Sequence, residues 1–255
     1  MLPIAGLAVV VALSATACAP VRSAIANNTT IPHPTQSAAS TPSSTPTPTP
    51  TGFNKQQYSL DSASSLWVVV NKLRPLNPIT FAPPLVNVTV PHVYGYQMQA
   101  PAAAALAQMF AAAKAAGAGN MEAQSSYRSY SAQASDHAAL VSRDGLKVAD
   151  NESARAGYSE HQTGLAVDIA PVPADGCNLE ICFGTMAQGK WLAANAYKFG
   201  YLLRYPADKV AVTGYQYEPW HFRYIGIPLA TEMHNEGVQT MEEFFGLPAA
   251  PDYAP

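Results

Sequence analysis

Ser159-Glu160-His161-Gln162-Thr163-Gly164-Leu165-Ala166-Val167-Asp168-Ile169-Ala170 is the stretch from which the fold and the chemistry of this chain are read. Its second half alternates. Leu165, Val167 and Ile169 fall on one side of an extended chain, and Ala166, Asp168 and Ala170 on the other. Burying a carboxylate on such a strand is costly unless the group is paired or holds a metal. His161 stands seven positions earlier, and Gly164 between the two gives the backbone freedom to turn.

A second polar group, Glu218-Pro219-Trp220-His221-Phe222-Arg223-Tyr224, has the same character. On a strand, His221 points to one face and Trp220 and Phe222 to the other. Pro219 interrupts regular pairing, so the Glu218 carboxylate can swing towards the His221 face. Two imidazoles and one carboxylate, here His161, His221 and Asp168, suit a single Zn²⁺ with one position left for water. A free Glu beside them can take a proton from that water. Ligand type alone leaves a structural zinc or a non-haem iron open. The third group is Ser125-Ser126-Tyr127-Arg128-Ser129-Tyr130 with Gln133 downstream. An Arg at a strand end can grip a carboxylate through two hydrogen bonds or steady an oxyanion.

Around these groups the chain divides into three parts. Residues 2–17 are apolar, too short to span a bilayer comfortably, and resemble the core of a secretory signal; Cys18 follows small residues and suggests a lipid-attachment site. Residues 18–52 are rich in Ser, Thr and Pro, with unbroken Thr-Pro alternation over 45–51, and read as a disordered tether. Residues 53–255 carry the punctuation of one globular domain. Export implies oxidising surroundings, so Cys177 and Cys182 are expected to form a short-loop disulfide. No other Cys or His lies near them in sequence to complete a metal site.

Within that domain Trp67–Val70, Ala123–Tyr127, Tyr201–Tyr205 and Trp220–Ile225 read as strands. Pro101–Ala116 reads as a helix, as does a stretch capped by Ser129 or Ser131 and running to Val141. Another is expected from a Thr185 cap to Gly200, and a last one after Pro228. Helices and strands mix without a βα repeat, so the expected class is α+β. Net charge is −3 and only 12% of the 255 residues are charged. With no basic run, nucleic acid is excluded as a partner.

The three polar groups together resemble the VanY-type D-alanyl-D-alanine carboxypeptidases, zinc metallopeptidases of bacterial cell-wall metabolism. Ser159, His161, Gly164, Ala166 and Asp168 match one family segment. Glu218, Trp220 and His221 match a second, and Tyr127, Arg128, Ser129 and Gln133 a third. The likeness runs from about Leu60 to Leu247 and departs at Ala156, where the family has Pro before the Gly.

The resemblance implies a small antiparallel sheet carrying one zinc ion on His161, Asp168 and His221, with Glu218 as the catalytic base. It assigns Arg128 to substrate or oxyanion, and Ser126, Gln133 and Ser159 to the substrate pocket; Trp220 is read either as support for that pocket or as a core residue. The implied reaction is removal of the terminal D-alanine from peptidoglycan stem peptides; with the leader and Cys18, the expectation is a monomeric, exported, lipid-anchored enzyme at the outer face of the membrane or in the wall. An L,D-carboxypeptidase acting on tetrapeptide stems, and a silent wall-binding module with a structural zinc, stand as the alternatives.

Overall fold

The computed structural model describes residues 52–94 and 96–254, which fall in one compact unit. The expected signal and Cys18, and all but the last residue of the tether, lie outside the described residues. The centre is a four-stranded antiparallel sheet in the order β3-β4-β6-β5, with β3 Asn120–Ser125, β4 Ala166–Val172, β5 Tyr201–Leu203 and β6 His221–Tyr224. A two-stranded ribbon, β1 Val86–Asn87 and β2 Gln97–Met98, lies outside it.

One face of the sheet is packed by α1 (Ala100–Ala115). Leu106, Met109, Phe110 and the small Ala102 and Ala113 meet Leu165, Val167, Ile169 and Phe222 in the main core. The alternation read from Leu165 to Ile169 is therefore the core-facing row, and the opposite row is left for chemistry. α2 (Tyr130–Asp144) begins where Ser129 Oγ accepts the Ala132 N–H, as expected of an N-cap, and runs past Val141 to Gly145. α3 (Leu146–Glu152) follows directly.

α4 (Ala187–Asn195) continues through a 3-10 turn (Ala196–Phe199) to Gly200, the expected stop. Its cap is corrected. Met186 is the N-cap, because the Thr185 hydroxyl donates instead to the Cys182 carbonyl in the preceding turn. The chain closes through α5 (Val210–Thr213), α6 (Ile227–Glu236) and α7 (Met241–Phe245).

The expected strand at Trp67–Val70 is also corrected: the segment is buried but joins no sheet. Its carbonyls find other donors. Arg223 Nη2 reaches the Leu66 and Val68 carbonyls at 3.2 and 2.9 Å, and Arg74 Nε reaches that of Val69 at 3.2 Å. Backbone groups satisfied this way need no ladder partner. Trp67 and Val69 pack with Ile225, Leu229, Met233 and Phe244 in a second apolar cluster. Among the described residues no helix is long and apolar enough to cross a membrane.

Candidate metal centre and active-site cleft

Sheet register makes the centre. Asp168 of β4 pairs with His221 of β6 on one side and with Ser125 of β3 on the other, so three polar side chains form one row. A register irregularity between Ala123 and Ser125 bends β3 as it enters this row. Beyond it, Arg128 N–H donates to the His161 carbonyl at 3.3 Å, which ties the Arg loop to the His turn. His161 sits in a 3-10 turn (Glu160–Thr163) that ends at Gly164, φ 67°, in the left-handed region. A Cβ on Gly164 would also stand 2.8 Å from a Leu85 methyl, so only glycine makes this turn into β4 without displacement.

The ligating atoms of His161, Asp168 and His221 lie within 4.8 Å of one another, and all three residues are buried. His161 Nδ1 faces the Ser126 carbonyl at 2.7 Å, which fixes the proton there and turns Nε2 towards Asp168 Oδ2 at 3.2 Å. His221 is used the other way round. Its Nε2 faces Glu160 Oε2 at 3.3 Å, and Nδ1 faces Asp168 Oδ1 at 3.1 Å. Tetrahedral ligands about 2.0–2.1 Å from zinc stand about 3.3 Å from one another. The donor set therefore fits the ion in type and spacing, and each imidazole is oriented through its other nitrogen.

Charge confirms the crowding. In the metal-free protein His221 is raised to about 9: burial opposes the cation, and hydrogen bonds to Asp168 and Glu160 overcome that opposition. Burial holds His161 below its ordinary value despite Asp168. Asp168 is held far below the usual carboxylate range, because the two imidazoles outweigh its own burial. Glu218 goes the other way. Burial, with Asp168 nearby, pushes its carboxyl up to about 8 against the pull of His221. Its Oε2 is 3.9 Å from His221 Nδ1, and among the described residues its carboxylate accepts no hydrogen bond.

Arg128 forms the adjoining wall. Its guanidinium is held by Gln133 Oε1 at 3.1 Å, Ser125 Oγ at 3.2 Å and Asp136 at 3.5 Å. The Gln133 amide nitrogen is itself committed to Ser153 Oγ and the Ala154 carbonyl, so Gln133 braces Arg128. Ser159 and Trp220 line the cleft, and Trp220 also belongs to the main core. Ser126 braces His161 through its carbonyl; its hydroxyl is fully buried, has no hydrogen-bond partner and is not part of the cleft wall. Cys177 and Cys182 are disulfide-bonded. His137 turns to Asp150 at 2.9 Å, and His234 stacks on Tyr197.

The residues that the sequence reading passed over stand behind His221. Glu160 Oε1 accepts from Arg204 Nε and from Arg223 Nη1, both at 2.9 Å. Arg204 also makes two bonds to Glu242, at 2.7 and 3.0 Å, and Glu242 accepts from Asn71 at 2.8 Å. The side chains of Glu160, Arg204, Arg223 and Glu242 are wholly buried. Their signal was parity. Arg223 lies two residues from His221 on the same strand face, opposite the small Ala166, where a buried cation demands a partner.

The family model for VanY, D-alanyl-D-alanine carboxypeptidase, matches residues 95–227, just over half of the chain. The putative carboxypeptidase YodJ of Bacillus subtilis (strain 168) is 45% identical over 144 residues, 56% of this chain. That match spans 52% of the length of the relative, so the chain covers about half of it. The solved LdcB LD-carboxypeptidase shares 39% identity at a TM-score of 0.67, covering 72% of this chain and 87% of that one. A mutant of the vancomycin resistance D,D-pentapeptidase VanY, solved with Zn(II), shares 30% identity at a TM-score of 0.59, covering 72% and 99%.

Proposed function

Since the chain belongs to the VanY family of D-alanyl-D-alanine carboxypeptidases, we propose that it is a zinc carboxypeptidase that removes the terminal D-alanine from peptidoglycan stem peptides. The observation that carries this reading is Glu218: a buried carboxylate, free of hydrogen bonds among the described residues, 3.9 Å from the ring of a metal-ligand candidate. A structural zinc site needs no such neighbour, which sets aside the silent wall-binding module.

His161, Asp168 and His221 would hold one zinc ion. When bound, it supplies a Lewis acid for the scissile carbonyl and a water acidic enough to attack it near neutral pH. Glu218 would take a proton from the attacking water on its carboxylate and pass it to the leaving amine as the C–N bond breaks. With a cation held by those three residues, the Glu218 carboxyl would ionise more readily than its burial alone allows and could act as the base. Arg128, kept extended by Ser125 and Gln133, offers its guanidinium to the substrate's terminal carboxylate or to the developing oxyanion.

A second reading, an L,D-carboxypeptidase that cuts tetrapeptide stems, draws support from the higher identity and TM-score of the LdcB comparison. Mass spectrometry of pentapeptide and tetrapeptide stems, incubated side by side with zinc-loaded protein, decides between the two. Glu218→Gln is expected to keep zinc and to lose about 10²–10⁴ in kcat. Near-normal turnover by that variant removes Glu218 from the mechanism. Export and lipid attachment at Cys18 belong to the same proposal, supported by the apolar leader and by the Cys177–Cys182 bond. Absence of label from a lipid precursor fed to producing cells would sink the anchor.

A further inference from the structure

The cleft is longer than the chemistry at its base requires. Its cavity of about 630 Å³ reaches from the metal centre along α2, where Gln133, Asp136, Leu140 and Arg143 line it at helical spacing. From Gln133 to Arg143, a rise of about 1.5 Å per residue gives roughly 15 Å of wall. An extended peptide covers that length with four to five residues.

The lining also includes Leu179, Glu180 and Ile181, from the segment 177–182 that the Cys177–Cys182 bond closes. Both ends of this loop are anchored. Cys177 packs against the main core, and Phe183, immediately after the loop, is fully buried in it. Leu179 has φ 52°, a left-handed conformation that bulky L residues avoid. A bulky residue held this way against its preference suggests a functional constraint. Leu179 and Ile181 are nonetheless 37% and 53% exposed, apolar side chains presented at the cleft and, among the described residues, outside the apolar clusters.

We propose that the disulfide-closed loop 177–182 is a specificity wall for the stem peptide on the amino-terminal side of the scissile bond. Leu179 and Ile181 pack there against the aliphatic part of a long side chain in the stem. The substrate class is then an oligopeptide of four or five residues, in preference to a free dipeptide. The inference rests on the carboxypeptidase reading above, and the test separates the two.

Two ligands are compared on the zinc-loaded full chain: the stem peptide that it cleaves and an acetylated two-residue counterpart lacking the long side chain. The wild type is expected to favour the stem by kcat/KM. Cys177→Ser/Cys182→Ser and Leu179→Ser/Ile181→Ser are each expected to raise KM for the stem about tenfold, the order expected for losing part of the burial of two aliphatic side chains. The two-residue ligand should change by less than about twofold, with zinc content unaltered. The same comparison in the Glu218→Gln background, read as Kd by calorimetry, tests the loop even where no D-alanine is released. Equal losses for both ligands, or an unchanged constant for the stem, would overturn the proposal.

Discussion

Replacing Glu160 by Gln tests whether the buried charges behind His221 serve the metal or only the fold. The amide keeps the shape of the carboxylate but removes its charge. Arg204 would retain its two bonds to the charged Glu242, whereas Arg223 would be left with neutral acceptors alone, the new amide oxygen and the carbonyls of Leu66, Val68 and Tyr224. A buried guanidinium stripped of its counter-charge costs about 3–5 kcal/mol. That is a large share of the roughly 5–15 kcal/mol that holds an ordinary domain folded. Zinc should suffer separately. His221 Nε2 loses a carboxylate partner at 3.3 Å, and loss of such an outer partner typically lowers metal affinity about 10–100-fold.

Glu242→Gln supplies the contrast. Glu242 serves Arg204 and Asn71 and makes no hydrogen bond to His221, so it should destabilise to a similar degree while zinc affinity stays within about threefold. Urea unfolding of the metal-free proteins reads the first quantity, and competition with a chromophoric chelator at fixed pH reads the second. Equal zinc losses in the two variants would mean that the site merely softens. An unchanged zinc affinity in Glu160→Gln would leave Glu160 with a purely structural role.

Proton competition gives the next expectation. His221 is raised to about 9 in the metal-free protein, so at neutral pH its Nδ1 carries a proton that zinc must displace. Apparent zinc affinity should therefore climb close to tenfold per pH unit below that value, about a hundredfold between pH 6 and 8. A flat chelator-competition profile over that range would refute it. Arg128→Lys removes the planar fork that Ser125 and Gln133 hold in place. It should cost about 10²–10³ in kcat/KM without loss of zinc, read by D-alanine release and metal analysis. A loss under threefold would place Arg128 outside the chemistry.

The site was more legible than its surroundings because its residues obey strand parity. Asp168 on the small-residue row and His221 opposite two aromatics announced a shared face, and the register then placed them side by side. Trp67–Val70 misled for a physical reason. Its apolar run fits a strand, but the Val68 carbonyl is met by Arg223, more than a hundred residues away, and that of Val69 by Arg74, which the apolar pattern does not encode. Thr185 misled in a similar way, since a hydroxyl near a helix start has more than one acceptor within reach. Glu160 sat in plain view beside His161 and was passed over. Its meaning depends on Arg204 and Arg223, and only folding brings those three together.

The arginine that reaches back to the Leu66 and Val68 carbonyls decides where this chain can be cut. The family-matched stretch begins at residue 95 and ends at residue 227, and it contains every proposed metal ligand and Glu218. It contains neither the Leu66 and Val68 carbonyls that receive Arg223 nor Asn71 and Glu242, which complete the network around Arg204. A fragment trimmed to those borders would expose one guanidinium and strand the other beside a lone carboxylate. The smallest piece expected to fold around zinc therefore extends on both sides, from before Leu66 to beyond Glu242.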